Sequence, residues 1–358
     1  MNSFFSTVHT PETKGFGGVF RLGNKIMQSD VSRVFTVKEA AEALSSLKGE
    51  LSRVIVGQRQ VIDQITITLL AGGHALLTGV PGLGKTLLVK SLAKLFSLAF
   101  KRIQFTPDLM PADIVGTEIL QENPETGTRS FDFVKGPIFA NLLLADEINR
   151  TPPKTQAALL EAMGEGNVTS AGKTYQLQKP FLVLATQNPI ELEGTYPLPE
   201  AQLDRFLINI VLEYLSVEDE QKMVGNTTSP DEVELKPILD GNDIAALQRL
   251  VREIPAPTNV VNYAVRLAAA TRPNTPYAAP RVDSLVKWGA GSRASQALVL
   301  AGKARALMDG RLNVACEDIR ELAIPVFRHR VITNFRAEAE NVTNLDIIRD
   351  IIKSTPEN

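Results

Sequence analysis

Three clusters of residues in this chain could do chemistry, and all three point at phosphate. The first is Gly79-Val80-Pro81-Gly82-Leu83-Gly84-Lys85-Thr86, a complete G-x-x-x-x-G-K-[ST] that follows an apolar run and opens a helical pattern. Its glycines let backbone N–H groups turn inward on phosphate oxygens, and the start of the helix adds partial positive charge. Lys85 would reach the β- and γ-phosphates of ATP, and the Thr86 hydroxyl would ligate Mg²⁺. The second cluster is Leu142-Leu143-Leu144-Ala145-Asp146-Glu147, an apolar strand ending in two carboxylates. Asp146 would support Mg²⁺ through its hydration shell, and Glu147 would polarise an attacking water. Alone, two such acids could equally cap the next helix; the phosphate loop tips the reading toward chemistry. The third is Phe181-Leu182-Val183-Leu184-Ala185-Thr186-Gln187-Asn188-Pro189. Open α/β sheets bind ligands beyond the carboxyl ends of their strands, so Asn188 would reach the water or the γ-phosphate. Leu203-Asp204-Arg205-Phe206 adds an arginine that spacing leaves open: a surface charge, or a finger completing a neighbour's site.

The elements that must position these residues are readable from periodicity. Residues 74–78, 141–145 and 181–185 are short apolar runs of the kind buried on both faces of a sheet. Between them, residues 85–97 and 153–163 carry helical spacing, as do residues 58–71 before them. Alternating strand and helix predicts an α/β fold, a mostly parallel sheet with helices on both faces. After Tyr214 the strand patterns stop, and residues 242–252 and 292–308 read as helices, with prolines at 255, 257, 273, 276 and 280 at the joins. The expected organisation is an extension over residues 1–35, poorly ordered or docked only on assembly, then an α/β nucleotide-binding domain over 36–215 and a smaller all-helical lid over 216–358. Two hairpins are expected as well. One runs from Glu118 to Val134 with its turn at Asn123-Pro124-Glu125-Thr126-Gly127, the other from Val168 to Leu177 turning at Ala171-Gly172-Lys173.

Composition narrows the class. With 358 residues, 44% apolar and 22% charged, the chain is long enough for a real core and is neither disordered nor a disulfide scaffold. A net charge of −2 offers no global basic excess for nucleic acid or an anionic membrane. A single cysteine, Cys316, fits a reducing compartment, and the start of the chain lacks a signal-peptide pattern, so a cytoplasmic protein is expected. Membrane insertion is not expected, because the longest apolar stretch, residues 65–80, is interrupted by Gly72, Gly73 and His74. His9, His74 and His329 make no zinc-type pair, and His74 reads as a satisfied core histidine. Arg328-His329-Arg330 would end a lid helix where positive charge suits the dipole, with contact to a partner left open. Trp288 is expected in the lid core.

These motifs together resemble the AAA+ ATPases, and within them the MoxR family. The resemblance rests on the phosphate loop and on Ala145-Asp146-Glu147-Ile148-Asn149-Arg150 with Pro152-Pro153-Lys154-Thr155-Gln156. It rests further on Ala185-Thr186-Gln187-Asn188-Pro189 and on the long run from Glu193-Gly194-Thr195-Tyr196-Pro197 to Leu203-Asp204-Arg205-Phe206. It spans about residues 45 to 335. The resemblance implies that Val56-Gly57-Gln58 packs against adenine, so that the ATP-binding set becomes Val56, Gly57, Gln58, Gly79, Pro81, Gly82, Leu83, Gly84, Lys85, Thr86 and Leu87. It matches Thr86 and Asp146 to the Mg²⁺ ligands of the Walker motifs, Glu147 to the catalytic acid, Asn188 to sensor 1 and Arg205 to a finger acting in trans across a ring interface. Gly289-Ala290-Gly291-Ser292-Arg293-Ala294 is similar to the sensor 2 segment, which would place Arg293 against the γ-phosphate in cis. The family often has Ser-Pro where this chain has Gly291-Ser292.

The two hairpins resemble loops that face the pore or the partner in such rings. Neither turn carries the aromatic-apolar pair of threading unfoldases or a strongly basic tip, which disfavours processive unfolding and binding of nucleic acid. The implied function is a homo-oligomeric ring, a hexamer, coupling Mg-ATP hydrolysis to chaperone-like remodelling or maturation of a protein client. That client would be a von Willebrand factor A (VWA) domain protein, with metal or cofactor insertion in some cases. A nucleic-acid-directed motor and a nucleotide-gated binding switch with little turnover are the alternatives.

Overall fold

The computed structural model describes residues 33–80, 82–122, 127, 129–188, 194–229 and 233–357; the expectation for residues 1–32 lies outside them. Helices α1 (Val37–Ser52) and α2 (Arg59–Leu70) lead into β1 (Ala75–Thr78) and α3 (Lys85–Leu95). Strand β2 (Phe100–Gln104), helix α4 (Pro111–Val115) and strands β3 (Gly116–Glu122), β4 (Arg129–Lys135) and β5 (Leu142–Asp146) follow. Next come α5 (Pro153–Glu165), β6 (Asn167–Ser170), β7 (Lys173–Gln176), β8 (Leu182–Gln187), α6 (Glu200–Leu203) and β9 (Ile208–Val211). The last part holds α7 (Val217–Thr227), α8 (Gly241–Glu253), α9 (Thr258–Ala270), α10 (Val282–Leu285) and β10 (Val286–Trp288). It ends with α11 (Ser292–Met308), α12 (Cys316–Phe327), β11 (Ile332–Thr333), α13 (Phe335–Ala339) and α14 (Asn344–Ser354).

Five strands form one parallel sheet in the order β2-β5-β8-β1-β9. Side chains alternate across a strand with period two, and both faces here are apolar. Leu142, Leu144, Leu182, Leu184, Ala75 and Leu77 enter one cluster, with α1, α2 and α3. Leu143, Ala145, Val183, Ala185 and Leu76 enter the other, with Leu159, Leu160 and Met163 of α5 and with Phe206. Burial on both faces explains why β1, β5 and β8 read as unbroken apolar runs. Strand β2 has no such mark: at the sheet edge it keeps only Ile103 buried and leaves Lys101, Arg102 and Gln104 exposed.

After β9 the chain is helical, as expected, apart from a two-stranded ribbon of β10 and β11. That ribbon is too short to leave a sequence pattern. It also corrects the reading of Trp288, which is 60% exposed rather than in a core. Ala294, Leu298, Ala301 and Leu307 of α11 and Ile319, Leu322 and Val326 of α12 join the same apolar cluster as α1 and α2. The helices begin where the sequence supplies caps: Thr36 with Glu39, Asp240 with Asp243 and Thr343 with Asp346 each form a reciprocal capping box.

Both hairpins form. β3 pairs antiparallel with β4, Glu118 opposite Phe133, and residues 123–126 of its turn lie outside the described residues. β6 pairs with β7 through Ala171 (φ 46°) and Gly172 (φ 77°), the two positive φ values of a primed hairpin turn. The hairpins lean on each other. Phe133 stacks on Tyr175 at 4.1 Å between ring centres, and Lys173 pairs with Glu118 at 3.3 Å.

Candidate functional site

The phosphate loop leaves β1 at its carboxyl end and turns into α3. Gly82 (φ 88°) and Gly84 (φ 74°) adopt the left-handed conformation that glycine takes without strain, and a Cβ at either would point into open space. Gly79 is small for another reason: a Cβ there would come within 2.8 Å of the Leu212 carbonyl, where the chain leaves β9. Pro81 lies outside the described residues. Lys85 Nζ donates to the Gly79 carbonyl at 2.6 Å. Burial lowers the ammonium pKa, and the nearby Asp146 and Glu147 oppose that shift.

Two clefts meet at this loop. One, of about 310 Å³, is polar and is lined by Gly82 to Leu87, Arg102, Gln104, Asp146, Glu147, Thr186 and Asn188. The other, of about 250 Å³, is largely apolar and is lined by Val54, Ile55, Val56, Gln58, Leu83, Leu87, Tyr214, Leu215 and Met223 among others. A polar cleft for phosphates continuous with an apolar one for a base is the shape of a nucleotide. Gln58 Nε2 ties the base side to the loop by donating to the Leu83 carbonyl at 3.2 Å. Gly57 lines neither of these two clefts; its φ of 76° and its approach to Asp219 shape the backbone instead.

The two acids at the end of β5 are held by partners that the motifs did not single out. Asp146 Oδ1 accepts from Thr186 Oγ1 at 2.6 Å, and Oδ2 accepts from Arg102 Nη2 at 2.6 Å and Nε at 3.1 Å. Glu147 sits at φ 56°, a left-handed conformation costing about 1 kcal/mol or more for a residue with a Cβ. That turn aims its backbone N–H at Thr186 Oγ1 (2.8 Å) and its carboxylate at Gln104 Nε2 (2.8 Å) and Arg150 Nε (3.2 Å). Arg102 and Gln104 reach these acids because β2 lies beside β5 with Gln104 opposite Asp146. No motif encodes that register. Thr186 does have a signal, since it stands two residues before Asn188 in the third strand cluster. Asn188 is buried and lines the same polar cleft, one residue past β8.

The donors fit Mg²⁺. Thr86 and Asp146 offer hydroxyl and carboxylate oxygens in one cleft, and Mg²⁺ ordinarily takes one or two such protein ligands and fills its shell with waters and substrate phosphate oxygens. Among the described residues no group of three or more His, Cys, Asp or Glu could cage a metal by itself.

Comparison with known proteins agrees with this geometry. Residues 74–208 match the family model described as the ATPase family associated with various cellular activities (AAA), and residues 278–351 match the AAA lid domain. The chain is 43% identical over 307 residues to Chaperone MoxR1 of Mycobacterium tuberculosis, covering 85% of this chain and 80% of that protein. It is 43% identical over 305 residues to the uncharacterised protein YeaC of Bacillus subtilis, covering 85% and 91%. The crystal structure of a protein of Cytophaga hutchinsonii assigned as an ATPase superposes with a TM-score of 0.83 at 41% identity, covering 89% of this chain and 96% of that one. The chain belongs to the MoxR family of AAA+ ATPases. It binds nucleotide and hydrolyses ATP, on a parallel five-stranded sheet followed by a helical lid.

Within this MoxR-type fold, two of the expected site residues stand elsewhere. Asp204, Arg205 and Phe206 precede β9, which runs parallel to β1 with Ile208 opposite Ala75. They therefore lie at the amino end of the sheet, whereas the phosphate loop leaves its carboxyl end. Four residues of strand, roughly 10 Å or more, separate the two levels. Arg205 Nη1 donates to the Leu160 carbonyl at 2.6 Å, in space that Gly164 leaves open by lacking a Cβ. Arg293 joins the same end: it is exposed, and its Nη1 stands 3.8 Å from Asp204 Oδ2. Neither arginine lines the two clefts that meet at the phosphate loop. In this structure Arg293, at the start of α11, faces the finger segment rather than its own phosphate loop.

The two described histidines, His74 and His329, are structural, and His9 lies outside the described residues. His74 is buried, with Nε2 3.1 Å from the Met163 carbonyl and Nδ1 accepting from the Val183 amide at 3.0 Å. Burial drives its pKa down to about 4, so it is neutral at physiological pH. Arg328-His329-Arg330 ends α12 as expected, with Arg330 Nη1 donating to the Val326 carbonyl of its last turn at 2.6 Å, and it also meets the sheet. His329 and Arg330 are buried against the residues leading into β9, and Arg328 Nη1 reaches the Asn209 carbonyl at 3.3 Å. No helix among the described residues is long and apolar enough to cross a membrane.

Proposed function

We propose that this MoxR-family ATPase works as a homo-oligomeric ring, a hexamer, that couples Mg-ATP hydrolysis to remodelling of a partner protein. The observation that carries the reading is the separation of Arg205 and Arg293 from the chain's own phosphate loop. One copy holds the loop, the acids and Asn188 at one end of its sheet, and two phosphate-seeking arginines at the other. A neighbour in a closed ring would bring the second set to the first. In that arrangement Glu147, held by Gln104 and Arg150, takes the proton of the attacking water, and Asn188 orients that water. Lys85 and the neighbour's Arg205 and Arg293 counter the charge that grows on the phosphoryl oxygens. Thr86 and Asp146 would hold Mg²⁺, which when bound neutralises charge on the β- and γ-phosphate oxygens. An arginine delivered in trans is worth about 10³ to 10⁵ in rate, or roughly 4–7 kcal/mol of barrier.

The output would be mechanical. The paired hairpins, joined by the Phe133–Tyr175 stack and the Lys173–Glu118 pair, present exposed apolar side chains, Leu120 opposite Phe131 on one face of the β3–β4 ribbon and Val134 on the other, suited to a protein client rather than to nucleic acid. A client with a VWA domain, and metal or cofactor insertion as the outcome, follow from the family resemblance; MoxR1 is itself named a chaperone. A cytoplasmic site of action goes with the single free thiol, Cys316. The test is ATP turnover against protein concentration, with native mass measured on the same samples. Specific activity that rises as rings assemble supports the shared site. Activity that is flat from monomer to ring removes it, and a monomeric nucleotide switch becomes the better account.

A further inference from the structure

The buried arginine of the lid, Arg330, has more partners than a tie between domains needs. Its side chain is 4% exposed. Nε donates to Asp204 Oδ1 at 2.7 Å, Nη1 to the Val326 and Leu207 carbonyls at 2.6 and 3.2 Å, and Nη2 to the Phe206 and Asp204 carbonyls at 2.7 and 3.4 Å. One planar guanidinium thus grips the chain on both sides of Arg205, and only arginine offers five donors in a fixed fork. His329 Nε2 adds a contact to the Phe206 carbonyl at 3.1 Å. The Asp204 carboxylate then passes the constraint on: its second oxygen faces Arg293.

We propose that Arg330 is a positioning residue for the arginines this subunit lends to its neighbour. It fixes the loop that carries Arg205 and, through Asp204, the place of Arg293, while touching nothing in its own nucleotide cleft. The inference rests on the reading of Arg205 as a finger in trans. It assigns to the lid a second job besides packing: the segment just after the carboxyl end of α12 holds the finger segment at the amino end of the sheet, so lid and finger move as one piece. A displacement of about 1 Å in a group that must meet a transition state lowers the rate by about a hundredfold, and the loss falls on the neighbour's site, not on this subunit's own.

Subunit mixing tests this. Arg330→Lys keeps the charge and loses the fork. Asp204→Asn cuts the relay at the exposed end and spares the buried arginine's carbonyl partners, so that one variant or the other folds. In rings of either variant, kcat is expected to fall about 10- to 100-fold while KM for ATP and the affinity for nucleotide stay within about twofold. Excess Glu147→Gln subunits, whose own turnover is slowed about 10²- to 10⁴-fold but which present an intact Arg205, are then mixed in. Turnover is expected to recover toward that of wild type mixed with the same donors, because the variant's own site is intact. A purely structural defect would not recover. Arg205→Ala runs alongside as the reference. If the donors rescue Arg205→Ala but neither Arg330→Lys nor Asp204→Asn, or if both variants turn over as wild type, the proposal is overturned. If Arg205→Ala itself turns over as wild type, the shared site has failed first, and that result is distinct from the other two.

Discussion

At the carboxyl ends of β1, β5 and β8 the charged side chains stand around open clefts, whereas at the amino end of β9 they are packed into the protein. In the nucleotide cleft, Arg102 pairs with Asp146, and Gln104 and Arg150 hold Glu147, through side chains that can exchange partners when a ligand arrives. At the other end, Arg330 is locked on to backbone carbonyls, Arg205 rests on the Leu160 carbonyl, and only Arg293 is loosely tethered. The difference teaches what each region waits for. A binding site must reorganise for its ligand, so its two acids are held by replaceable side-chain partners. A group that serves another molecule's site gains from being set in place before contact, since its ordering entropy has been met in folding.

The comparison breaks most visibly at Arg205. Arg205→Ala is expected to lower turnover in assembled rings by about 10³- to 10⁵-fold, with ATP binding by the same rings unchanged. Equilibrium binding of a fluorescent nucleotide beside steady-state turnover checks it. A loss of binding that matched the loss of rate would place Arg205 in its own subunit's site. Glu147→Gln comes next. Removing the base that polarises the water is expected to slow hydrolysis about 10²- to 10⁴-fold and to leave ATP trapped, because the phosphate loop and Lys85 are untouched. Single-turnover hydrolysis with isolation of bound nucleotide separates that outcome from a failure to bind.

How much of this was legible before the fold was known follows the same division. The strands that carry the phosphate loop, the acids and Asn188 are buried on both faces, so their apolar runs ended visibly at the residues that matter, and the loop's glycines announced the turn. Arg102 and Gln104 were silent because an edge strand shows one buried residue in five and because their role depends on register with β5, a long-range fact. The amino end of β9 was read only in part for the same reason. Spacing along the chain does not say that α12 and β9 meet, so Arg330 showed only as a helix-end charge, and its grip on the residues before β9 stayed hidden. Trp288 went wrong because a lone tryptophan was assigned by hydrophobicity alone, and an exposed ribbon of three residues leaves no pattern.

A smaller effect sharpens the comparison through stability. The amino end of the sheet carries two buried neutral histidines: His74, which precedes β1 and whose carbonyl accepts from the Leu207 amide at 2.7 Å, and His329 beside Arg330. Burial holds the first near pKa 4 and the second well below the ordinary value, with Arg330 adding to the shift of the second. In the unfolded chain both would take a proton near pH 6.5. Below that pH the unfolded state binds more protons than the folded one, so stability is full above about pH 6.5 and falls as pH drops toward the folded pKa values. The slope is at most about 1.4 kcal/mol per pH unit for each histidine. Denaturant midpoints between pH 7 and 5.5 check this, and His74→Gln and His329→Gln are each expected to remove about half of the slope. A slope carried wholly by one of them would mean that the sheet and the segment after α12 do not unfold together.

The smallest effect concerns Arg102, the cation that occupies Asp146 in the nucleotide cleft. Its pairing at 2.6 Å is half exposed, with 46% of the arginine side chain and 15% of the aspartate side chain open to solvent, and such pairs contribute about 0.2–1 kcal/mol. Divalent cation and guanidinium compete for the same carboxylate oxygens. Arg102→Ala is therefore expected to shift the Mg²⁺ concentration that gives half-maximal turnover down by about two- to fivefold, the size of the competition that the pair can mount. Titration of Mg²⁺ at saturating ATP reads that shift, and Mg²⁺-dependent quenching of a bound fluorescent ADP reads it without turnover. If the Mg²⁺ requirement stays fixed and KM for ATP rises instead, Arg102 belongs to the phosphate-binding set. The cleft would then hold one preset cation of its own, like those at the amino end of β9, and the contrast between the two regions would narrow to Asp146, Glu147 and their remaining partners.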